Sequence, residues 1–435
     1  MRISSIIPCV RNANGSGHEQ RRQTDGPGKD EVNRMNDFRK TAQEMLEFIR
    51  ISPTCFHAVA NIGRMLEAAG FQQLQEKEEW KLEKGGRYYT ERNDSSVIAF
   101  VIPEKEVGIR GFHMAAAHSD SPCFKIKEKP ELTVEEHYLR LNTEKYGGMI
   151  LSTWLDRPLS VAGRLAVKNG NGIEGRLVNI DRDLCVIPNV AIHMNREMNK
   201  GVEYNPQVDL LPLLADVSFD EYDAHTTYDA QTASENAEEQ PEAVEKPTLV
   251  ALAAETAGVD AETILGEDLF LYTRQEGKMI GAKGEFVLSP RLDDLQSAFA
   301  LTKAFTESTP AEYINVCAVF DNEEVGSGTR QGADSTFLED ILQRIAEGLQ
   351  ADHSSYLRWV ADSSLISADN AHAVHPNHPE KADPTNRPYL NGGIVIKYHG
   401  SQKYTTDGIS AARMKDYCER AKVPYPVSYT HLRAH

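Results

Sequence analysis

Residues 318–328 read AVFDNEEVGSG, an apolar stretch that runs directly into three acids and a glycine-rich turn. The apolar residues predict a buried strand that ends near Phe320. Glu323 and Glu324 then lie at the end of a core strand, where ionised carboxylates need a neutralising partner, and a metal ion is a common one. The stretch therefore predicts a metal site at one edge of a buried sheet.

A second apolar stretch also ends in residues of the types that bind metals. Residues 114–122 read MAAAHSDSP, and the strand predicted over residues 111–117 ends just before His118 and Asp120. In open α/β sheets, ligand-binding residues lie beyond the carboxyl ends of the strands. Residues two apart on a strand face the same side, which allows Asp120 to orient the His118 ring. We expect the two strand ends to meet at one polar site.

Apolar strands and helical patterns alternate on both sides of the middle third of the chain. The predicted strands cover residues 96–102, 111–117, 314–320, 365–367 and 393–398, and the predicted helices run from Asn36 or Asp37 to Ile49, over 52–70, from near Arg291 onward, and over 407–422. Such alternation predicts an α/β domain with a mostly parallel sheet covered on both faces.

The middle of the chain has a different pattern. Residues 124–287 contain short β-like pieces separated by Gly and Asn turns, which predict an inserted β-rich domain. Residues 219–247 within it are acidic and lack apolar periodicity, which favours a solvated loop. The α/β domain is then expected to comprise residues 36–123 and 288–426.

Composition limits the classes of partner. The 435 residues carry a formal net charge of -18, which repels phosphate backbones and anionic membrane surfaces, so we expect no nucleic acid and no membrane partner. The six cysteines lack CxxC spacing and are predicted to be buried free thiols. Together with the absence of an apolar run near 18 residues, this pattern predicts a cytoplasmic protein that acts on a small molecule or peptide.

Two further positions present acids or imidazoles near the predicted sheet edge. Asp293 and Asp294 begin a predicted helix, and Asp369 follows a predicted strand, with His372 and His375 close behind. Mixed imidazole and carboxylate ligands suit catalytic zinc or its neighbours in the first transition row. A two-metal site needs a bridging carboxylate and a metal separation of about 3.5 to 4 Å, and one of the paired glutamates could then serve as general base.

Each of these positions also has a structural interpretation. The two aspartates could complement a helix dipole, and a lone pair of acids at a helix start usually does so. His372 and His375 could be surface residues around a turn. Glu323 and Glu324 could be solvated, although an apolar strand before them and glycines after them make that harder. The residues taken alone leave these alternatives open.

Six motifs in one order resemble the aspartyl-aminopeptidase family of cocatalytic zinc exopeptidases, over about residues 35–426. They are HSDSPCFKIK (118–127), WLDRPLSVAGR (154–164), IPNVAIHMNR (187–196), SPRLDDLQSAF (289–299), DNEEVGSGTRQGADS (321–335) and SADNAHAVHPN (367–377). The resemblance implies a zinc-exopeptidase-like catalytic domain with a mixed, mostly parallel sheet, interrupted by a β-rich dimerisation domain. It also implies homodimers that assemble into a dodecamer.

The resemblance further implies a metal-dependent aminopeptidase that releases N-terminal Asp or Glu from peptides through two zinc ions per subunit, other divalent transition metals being possible. Its roles carry over as follows: His118, Asp293, Glu324 and Asp369 are metal ligands, Glu323 is the general base, Asp120 orients His118, His193 reaches a neighbouring subunit's site to stabilise the tetrahedral intermediate, and His372 and Lys397 bind substrate. A lysine in the pocket would pair with an acidic substrate side chain.

The end of the chain departs from the family's pattern. The family's last zinc ligand is a His in a C-terminal MHSxRE-type motif, which has no counterpart here. Residues 427–435 are expected to be a non-native tail and residues 1–35 a disordered or non-native extension. The chain as written is therefore expected to be poorly active or unstable. The alternatives are an aminopeptidase for neutral or apolar N-terminal residues and a catalytically dead oligomeric scaffold.

Overall fold

The computed structural model describes residues 2–4, 29–104, 108–217 and 248–429, which form 17 β-strands and seven α-helices. The strands are β1 (Arg2–Ser4), β2 (Gln72–Gln73), β3 (Arg87–Arg92), β4 (Ser96–Val101), β5 (Gly111–His118), β6 (Cys123–Val134), β7 (Tyr138–Tyr146), β8 (Leu159–Asn169), β9 (Gly172–Asn179), β10 (Leu213–Asp216), β11 (Ile264–Thr273), β12 (Lys278–Ile280), β13 (Phe286–Ser289), β14 (Tyr313–Phe320), β15 (Ser364–Ser367), β16 (Ile396–Lys397) and β17 (Val427–Ser428). The helices are α1 (Lys29–Arg50), α2 (Cys55–Ala68), α3 (Leu249–Ala257), α4 (Leu292–Thr306), α5 (Phe337–Gly348), α6 (His353–Ala361) and α7 (Gly408–Ala421).

A mixed six-stranded sheet contains both of the strands predicted to carry metal ligands, in the order β15-β5-β14-β4-β3-β2. Three of its five strand pairs are parallel, as predicted for a mostly parallel sheet. β14 runs parallel to β5 with Phe320 beside His118 at their carboxyl ends, and β15 pairs with β5 on the other side. Three neighbouring parallel strands therefore end at one edge of the sheet.

Helices cover both faces of this sheet. Every residue of β4 is buried, and because side chains alternate along a strand, Val97 and Phe100 face opposite sides. Val97 packs in a cluster with α1, α2 and α4 that includes Ile62 and Phe299. Phe100 packs in a second cluster with α5 and α6 that includes Ile341. Burial on both sides explains why these strands are continuously apolar in sequence.

A second six-stranded sheet is antiparallel throughout, in the order β10-β7-β6-β11-β8-β9. Its core includes Phe124, Leu165 and Leu271, and α3 adds Leu249 and Ala253. Its strands lie between residues 123 and 273, which agrees with the β-like pieces in the sequence. Their assignment to a separate dimerisation domain over 124–287 stays a prediction.

Two elements have bounds that differ from the sequence prediction. Helix α1 begins at Lys29 rather than at Asn36 or Asp37, since the charged residues between them are good helix formers. The strand predicted over 393–398 shortens to β16, because Gly393 adopts φ +110° and approaches the Pro424 carbonyl too closely for any Cβ.

Asp293 and Asp294 carry non-helical dihedral angles at the start of α4, with φ -87° and ψ 108° at Asp293, and the peptide bond between them is cis. They therefore do not form the regular first helical turn that the sequence pattern predicts.

Some predictions fall on parts of the chain that the structure does not describe. Residue 1, residues 5–28, the acidic stretch 219–247 and residues 430–435 lie outside the described residues, and so does Cys9. The other five cysteines are free thiols, as predicted; four of them are buried, as also predicted, but Cys123 is partly exposed. Within the described ranges, no helix combines the length and the apolar character that a bilayer crossing requires.

Candidate metal centre

His118 is the last residue of β5, and its ring is buried beside the acidic end of β14, with 5% of the side chain exposed. The ring Nε2 lies 3.6 Å from Asp293 Oδ1 and 3.9 Å from Glu323 Oε2. The backbone N–H of His118 donates a hydrogen bond to Asp294 Oδ2 at 3.2 Å. One edge of the imidazole therefore faces carboxylates from two distant parts of the chain.

Asp120 holds the opposite edge of the ring. Its Oδ1 lies 3.1 Å from His118 Nδ1, and its carboxylate also accepts hydrogen bonds from the Tyr146 hydroxyl at 2.7 Å and from the backbone N–H groups of Glu323 and Glu324. Burial alone would raise the pKa of Asp120, but the hydrogen bond to His118, its charge and the other donors lower it. Asp120 thus fixes both the ring and the turn that carries the glutamates.

The negative surroundings of His118 change its pKa. Burial by itself would lower the pKa of the imidazole, but the hydrogen bond to Asp120 and the charges of Asp294, Asp120 and Glu323 raise it to about 9. Burial raises the pKa of Asp294, which is fully buried, to about 7. Surroundings that stabilise a proton on an imidazole in this way also attract a divalent cation.

His118, Asp293 and Asp369 each offer one ligand atom, and these atoms lie within 4.8 Å of one another. They come from the end of β5, the start of α4 and the loop after β15. One imidazole nitrogen with two carboxylate oxygens is a donor set typical of catalytic zinc, so the residues present fit that ion. Three of the four predicted ligands are therefore brought together.

Glu324, the fourth predicted ligand, is not part of this group of three. It lies with Glu323 in a short turn after β14, where its Cβ is 2.9 Å from the position that a Cβ on Gly147 would occupy. Gly147 has φ +74° and follows β7, so the glutamate turn packs directly against the second sheet. The Glu323 side chain is half exposed and faces His118.

Lys397, predicted to bind substrate, instead contacts a predicted metal ligand. Its Nζ donates hydrogen bonds to Asp369 Oδ2 at 2.8 Å and to the Asn370 carbonyl at 2.9 Å. His372 lines the large cavity beside the metal group. His193 is exposed, and it belongs neither to the lining of that cavity nor to the metal group. The structure therefore brings Lys397 to the site but leaves His193 apart from it within one chain.

Comparison with known proteins identifies the family of the chain. The family described as "Aminopeptidase I zinc metalloprotease (M18)" matches residues 48–433. This chain belongs to the M18 family. The probable M18 family aminopeptidase 2 of Clostridium novyi is 44% identical over 411 residues, which cover 90% of this chain and 90% of that protein.

Solved M18 structures share the fold. A chain in the cryo-EM structure of the Ape4 and Nbr1 complex has a TM-score of 0.82 at 35% identity and covers 91% of this chain and 76% of its own. The S. cerevisiae mApe1 dodecamer has a TM-score of 0.72 at 25% identity, with coverage of 90% and 85%. The predicted family, α/β fold class and enzyme class are confirmed: this M18 chain is a zinc metallo-aminopeptidase, a hydrolase.

A cavity of about 790 Å³ separates the metal group of this M18 chain from its second sheet. The residues that line it include Asp120 and Asp293, Phe270 and Tyr272 of β11, and His372. The volume falls in the range of typical ligand-binding sites. A substrate bound at the metal group would therefore extend against residues of both sheets.

Two residues that hold the M18 site were not identified from the sequence. The Tyr146 hydroxyl donates to Asp120 and accepts a hydrogen bond from Asn322 Nδ2 at 3.0 Å. Asn322 has φ 65°, and its Oδ1 accepts hydrogen bonds from Thr329 and Gln331 at 2.8 Å. An Asn between acids and a Gly turn is a weak signal for a left-handed position. Tyr146, at the end of a β-like piece, gave no signal.

Proposed function

We propose that this M18 enzyme releases N-terminal Asp or Glu from peptides and does so with two zinc ions per subunit. The observation that carries the proposal is the convergence of ligand atoms from His118, Asp293 and Asp369 within 4.8 Å. Two acids and one buried imidazole from distant parts of the chain have no structural need to meet unless a cation joins them.

His118, Asp293, Asp369 and Glu324 would hold the zinc ions, with Asp293 as the bridging carboxylate. When bound, zinc supplies Lewis-acid activation of water and of the substrate carbonyl. Glu324 lies outside the group of three residues whose ligand atoms converge. Its Cβ packs closely against Gly147, which limits the positions that its carboxylate can reach.

Glu323 takes a proton from the attacking water as general base and later delivers it to the leaving amine. Two observations support this role: the side chain is half exposed, and its Oε2 lies 3.9 Å from His118 Nε2, so it borders the metal group without being enclosed by it. Asp120 is a positioning residue, because it holds the His118 ring and also accepts hydrogen bonds from the backbone of the glutamate turn.

Lys397 and His372 are the proposed contacts for an acidic substrate side chain. The Lys397 ammonium borders the metal group, and His372 lines the adjoining cavity. The ion pair between Lys397 and Asp369 at 2.8 Å favours a second candidate, release of a neutral or apolar residue, because the lysine already has an anionic partner.

Subunit assembly is also part of the proposal. The S. cerevisiae mApe1 relative is a dodecamer, and we expect this chain to form dimers through residues 124–287 that assemble further. Val190, Ile192 and Met194 are exposed apolar residues around His193, as expected of a loop that reaches a second copy. A cytoplasmic location, with no nucleic acid or membrane partner, is consistent with the net charge of -18.

The test compares hydrolysis of Glu-, Asp- and Leu-p-nitroanilide by the zinc-loaded chain, by chelator-treated protein and by Glu323→Gln. We expect the acidic substrates to be preferred, chelation to abolish turnover, and Glu323→Gln to lower kcat by roughly 10²- to 10⁴-fold. Glu347→Gln, the same substitution at an exposed position of α5, should leave kcat unchanged.

Turnover that survives both chelation and Glu323→Gln would refute the mechanism. A preference for Leu over Glu would establish the second candidate instead. Metal analysis adds the ion count: two zinc ions per chain support the dinuclear proposal, and one refutes it.

A further inference from the structure

The turn that carries Glu323 and Glu324 meets the second sheet at Gly147, the residue after β7. Gly147 has φ +74°, a left-handed conformation that favours glycine. A Cβ added to it would lie 2.9 Å from the Glu324 Cβ and 3.5 Å from both the carbonyl oxygen and Oε2 of Glu324. Position 147 therefore lies against the backbone and the carboxylate of a predicted metal ligand.

The atom that such a Cβ would meet cannot move away by itself. Rotation about the side-chain bonds of Glu324 moves its carboxylate but leaves its Cβ in place, so relief of the contact requires a shift of the turn. Asp120 holds that turn, because its two carboxylate oxygens accept hydrogen bonds from the N–H groups of Glu323 at 3.2 Å and Glu324 at 3.1 Å. A shift of the turn therefore disturbs both hydrogen bonds and moves both glutamates.

The residue before Gly147 keeps the end of β7 close to the turn. The Tyr146 hydroxyl donates a hydrogen bond to Asp120 Oδ2 at 2.7 Å and accepts one from Asn322 Nδ2 at 3.0 Å. Asn322 directly precedes Glu323 in the chain. Because Tyr146 is bonded to both residues, the backbone at position 147 cannot retreat from the glutamate turn without breaking these hydrogen bonds.

Other left-handed glycines lack this contact. Gly170, between β8 and β9, has φ +58°, and Gly284 has φ +67°. Apart from their chain neighbours, no atom of the described residues lies within 4 Å of the position that a Cβ would take at either glycine. These two positions share the backbone conformation of Gly147 without the close neighbour. They therefore separate the requirement for positive φ from the contact with Glu324.

We propose that Gly147 is a positioning residue of the metal centre: because it has no side chain, the glutamate turn lies where Glu324 can reach the metal group and Glu323 can border it. The inference rests on the proposed function, from which it takes the roles of the two glutamates. It adds that one position of the second sheet limits where the carboxylate of a metal ligand can lie. Gly147 acts through the turn and is assigned no contact with substrate.

The test compares Gly147→Ala, Gly147→Asn and the matched control Gly170→Ala in the full chain. Alanine and asparagine both add a Cβ, but asparagine tolerates the left-handed conformation better, so the pair separates contact with Glu324 from backbone strain. Three properties are measured: zinc affinity of the metal-free protein in competition with a chelator, kcat and KM for Glu-p-nitroanilide, and the free energy of unfolding in urea.

We expect both Gly147 variants to bind their weakest zinc ion about 10- to 100-fold less tightly, as for other substitutions that displace a metal ligand. The value of kcat should fall with a smaller change in KM, because the turn carries the general base and not the proposed substrate contacts. Gly147→Asn should lose less stability than Gly147→Ala but as much zinc affinity. Gly170→Ala should lose stability and keep its zinc, because its added Cβ meets no neighbour.

Zinc affinity and kcat in both Gly147 variants equal to those of Gly170→Ala would overturn the proposal. A Gly147→Asn chain that does not fold also overturns it, because the glycine then serves stability and not the placement of a ligand.

The zinc titration requires no turnover. An inactive wild type together with the expected zinc loss therefore refutes the proposed hydrolysis and leaves the positioning role intact. If the wild type binds one zinc ion, the dinuclear proposal fails, and the affinity for that ion decides the role of Gly147.

Discussion

The two halves of the candidate metal centre are built differently. On the His118 side, His118 and Asp120 have only 5% and 3% of their side chains exposed, and hydrogen bonds satisfy the Asp120 carboxylate from several directions. On the Asp369 side, the acid is 39% exposed and is held by the ion pair with Lys397. Half of the site is fixed by the protein interior, and half is open to solvent.

The difference follows from the position of each strand in the sheet. β5 lies between β14 and β15, whereas β15 is an edge strand with mostly exposed residues. A ligand residue that follows a central strand is held by the hydrogen bonds of that strand to a neighbour on each side, whereas one that follows an edge strand is held from one side only. We therefore expect substitutions in the buried half to reduce stability and metal binding together, and substitutions in the open half to separate the two effects.

The largest effect on stability is expected for Asp120→Asn. Because the backbone N–H groups of Glu323 and Glu324 donate to different oxygens of Asp120, the NH2 of the new amide would face one of these donors, and His118 would lose its anionic partner. The free energy of unfolding of the metal-free protein should fall by about 3 kcal/mol, and zinc affinity by roughly 10- to 100-fold. Urea denaturation and zinc titration measure these changes, with the exposed Asp334→Asn as control.

The effect of Asp120→Asn also depends on pH in a defined direction. Because the pKa of Asp120 is lowered by folding, its stabilising contribution is present above the unfolded carboxyl pKa of about 3.9 and is lost as the pH falls through the folded value. The pKa of His118 is raised to about 9, so its part of the contribution is full below the unfolded imidazole pKa of about 6.5 and is lost as the pH rises toward 9. The stability difference between wild type and variant should therefore be full between about pH 4 and pH 6.5 and shrink on both sides of that window. A difference that grows as the pH falls below about 4 would contradict the assigned role.

An intermediate effect is expected for Tyr146→Phe. The substitution removes the 2.7 Å hydrogen bond to Asp120 and the acceptor of the Asn322 amide, but it leaves the ring in place. Stability should fall by about 1 kcal/mol. Tyr313→Phe removes a hydroxyl bound to the exposed Asp362, and it should cost less in the same urea experiment. Equal losses in the two variants would mean that the Asp120 network is not specially stabilising.

The smallest effect on stability is expected for Asp369→Asn, because an exposed ion pair contributes about 0.5 kcal/mol or less. Zinc affinity should nevertheless fall, since the variant loses a charged ligand. Lys397→Met breaks the same ion pair from the other side and should retain zinc affinity. Parallel losses of zinc in both variants would show that the ion pair, and not the carboxylate as ligand, is what matters.

The sequence predicted the buried half of the site better than the open half. Apolar runs of seven or eight residues place His118 and Glu323 at strand ends, and periodicity alone is enough to find such strands. Asp369 was also placed after a predicted strand, but that strand has only four residues and little periodicity. The proximity of Asp369 to the other ligands depends on the strand order of the sheet.

Other parts of the site depend on contacts between distant residues and left little signal. Tyr146 belongs to the second sheet and reaches Asp120 only because the two sheets pack together. The ion pair between Lys397 and Asp369 likewise could not be predicted from the sequence.

The backbone hydrogen bonds between β5 and β14 set the spacing of the metal centre. Phe320 is paired with His118, and each residue along a strand advances the chain by about 3.3 Å while reversing the side of its side chain. Insertion of a single residue into either strand would therefore shift the glutamates by about 3.3 Å relative to the His118 ring. It would also turn the side chains beyond the insertion toward the opposite face of the sheet. In this enzyme, chain length within these two strands is consequently as much a catalytic parameter as the identity of any side chain.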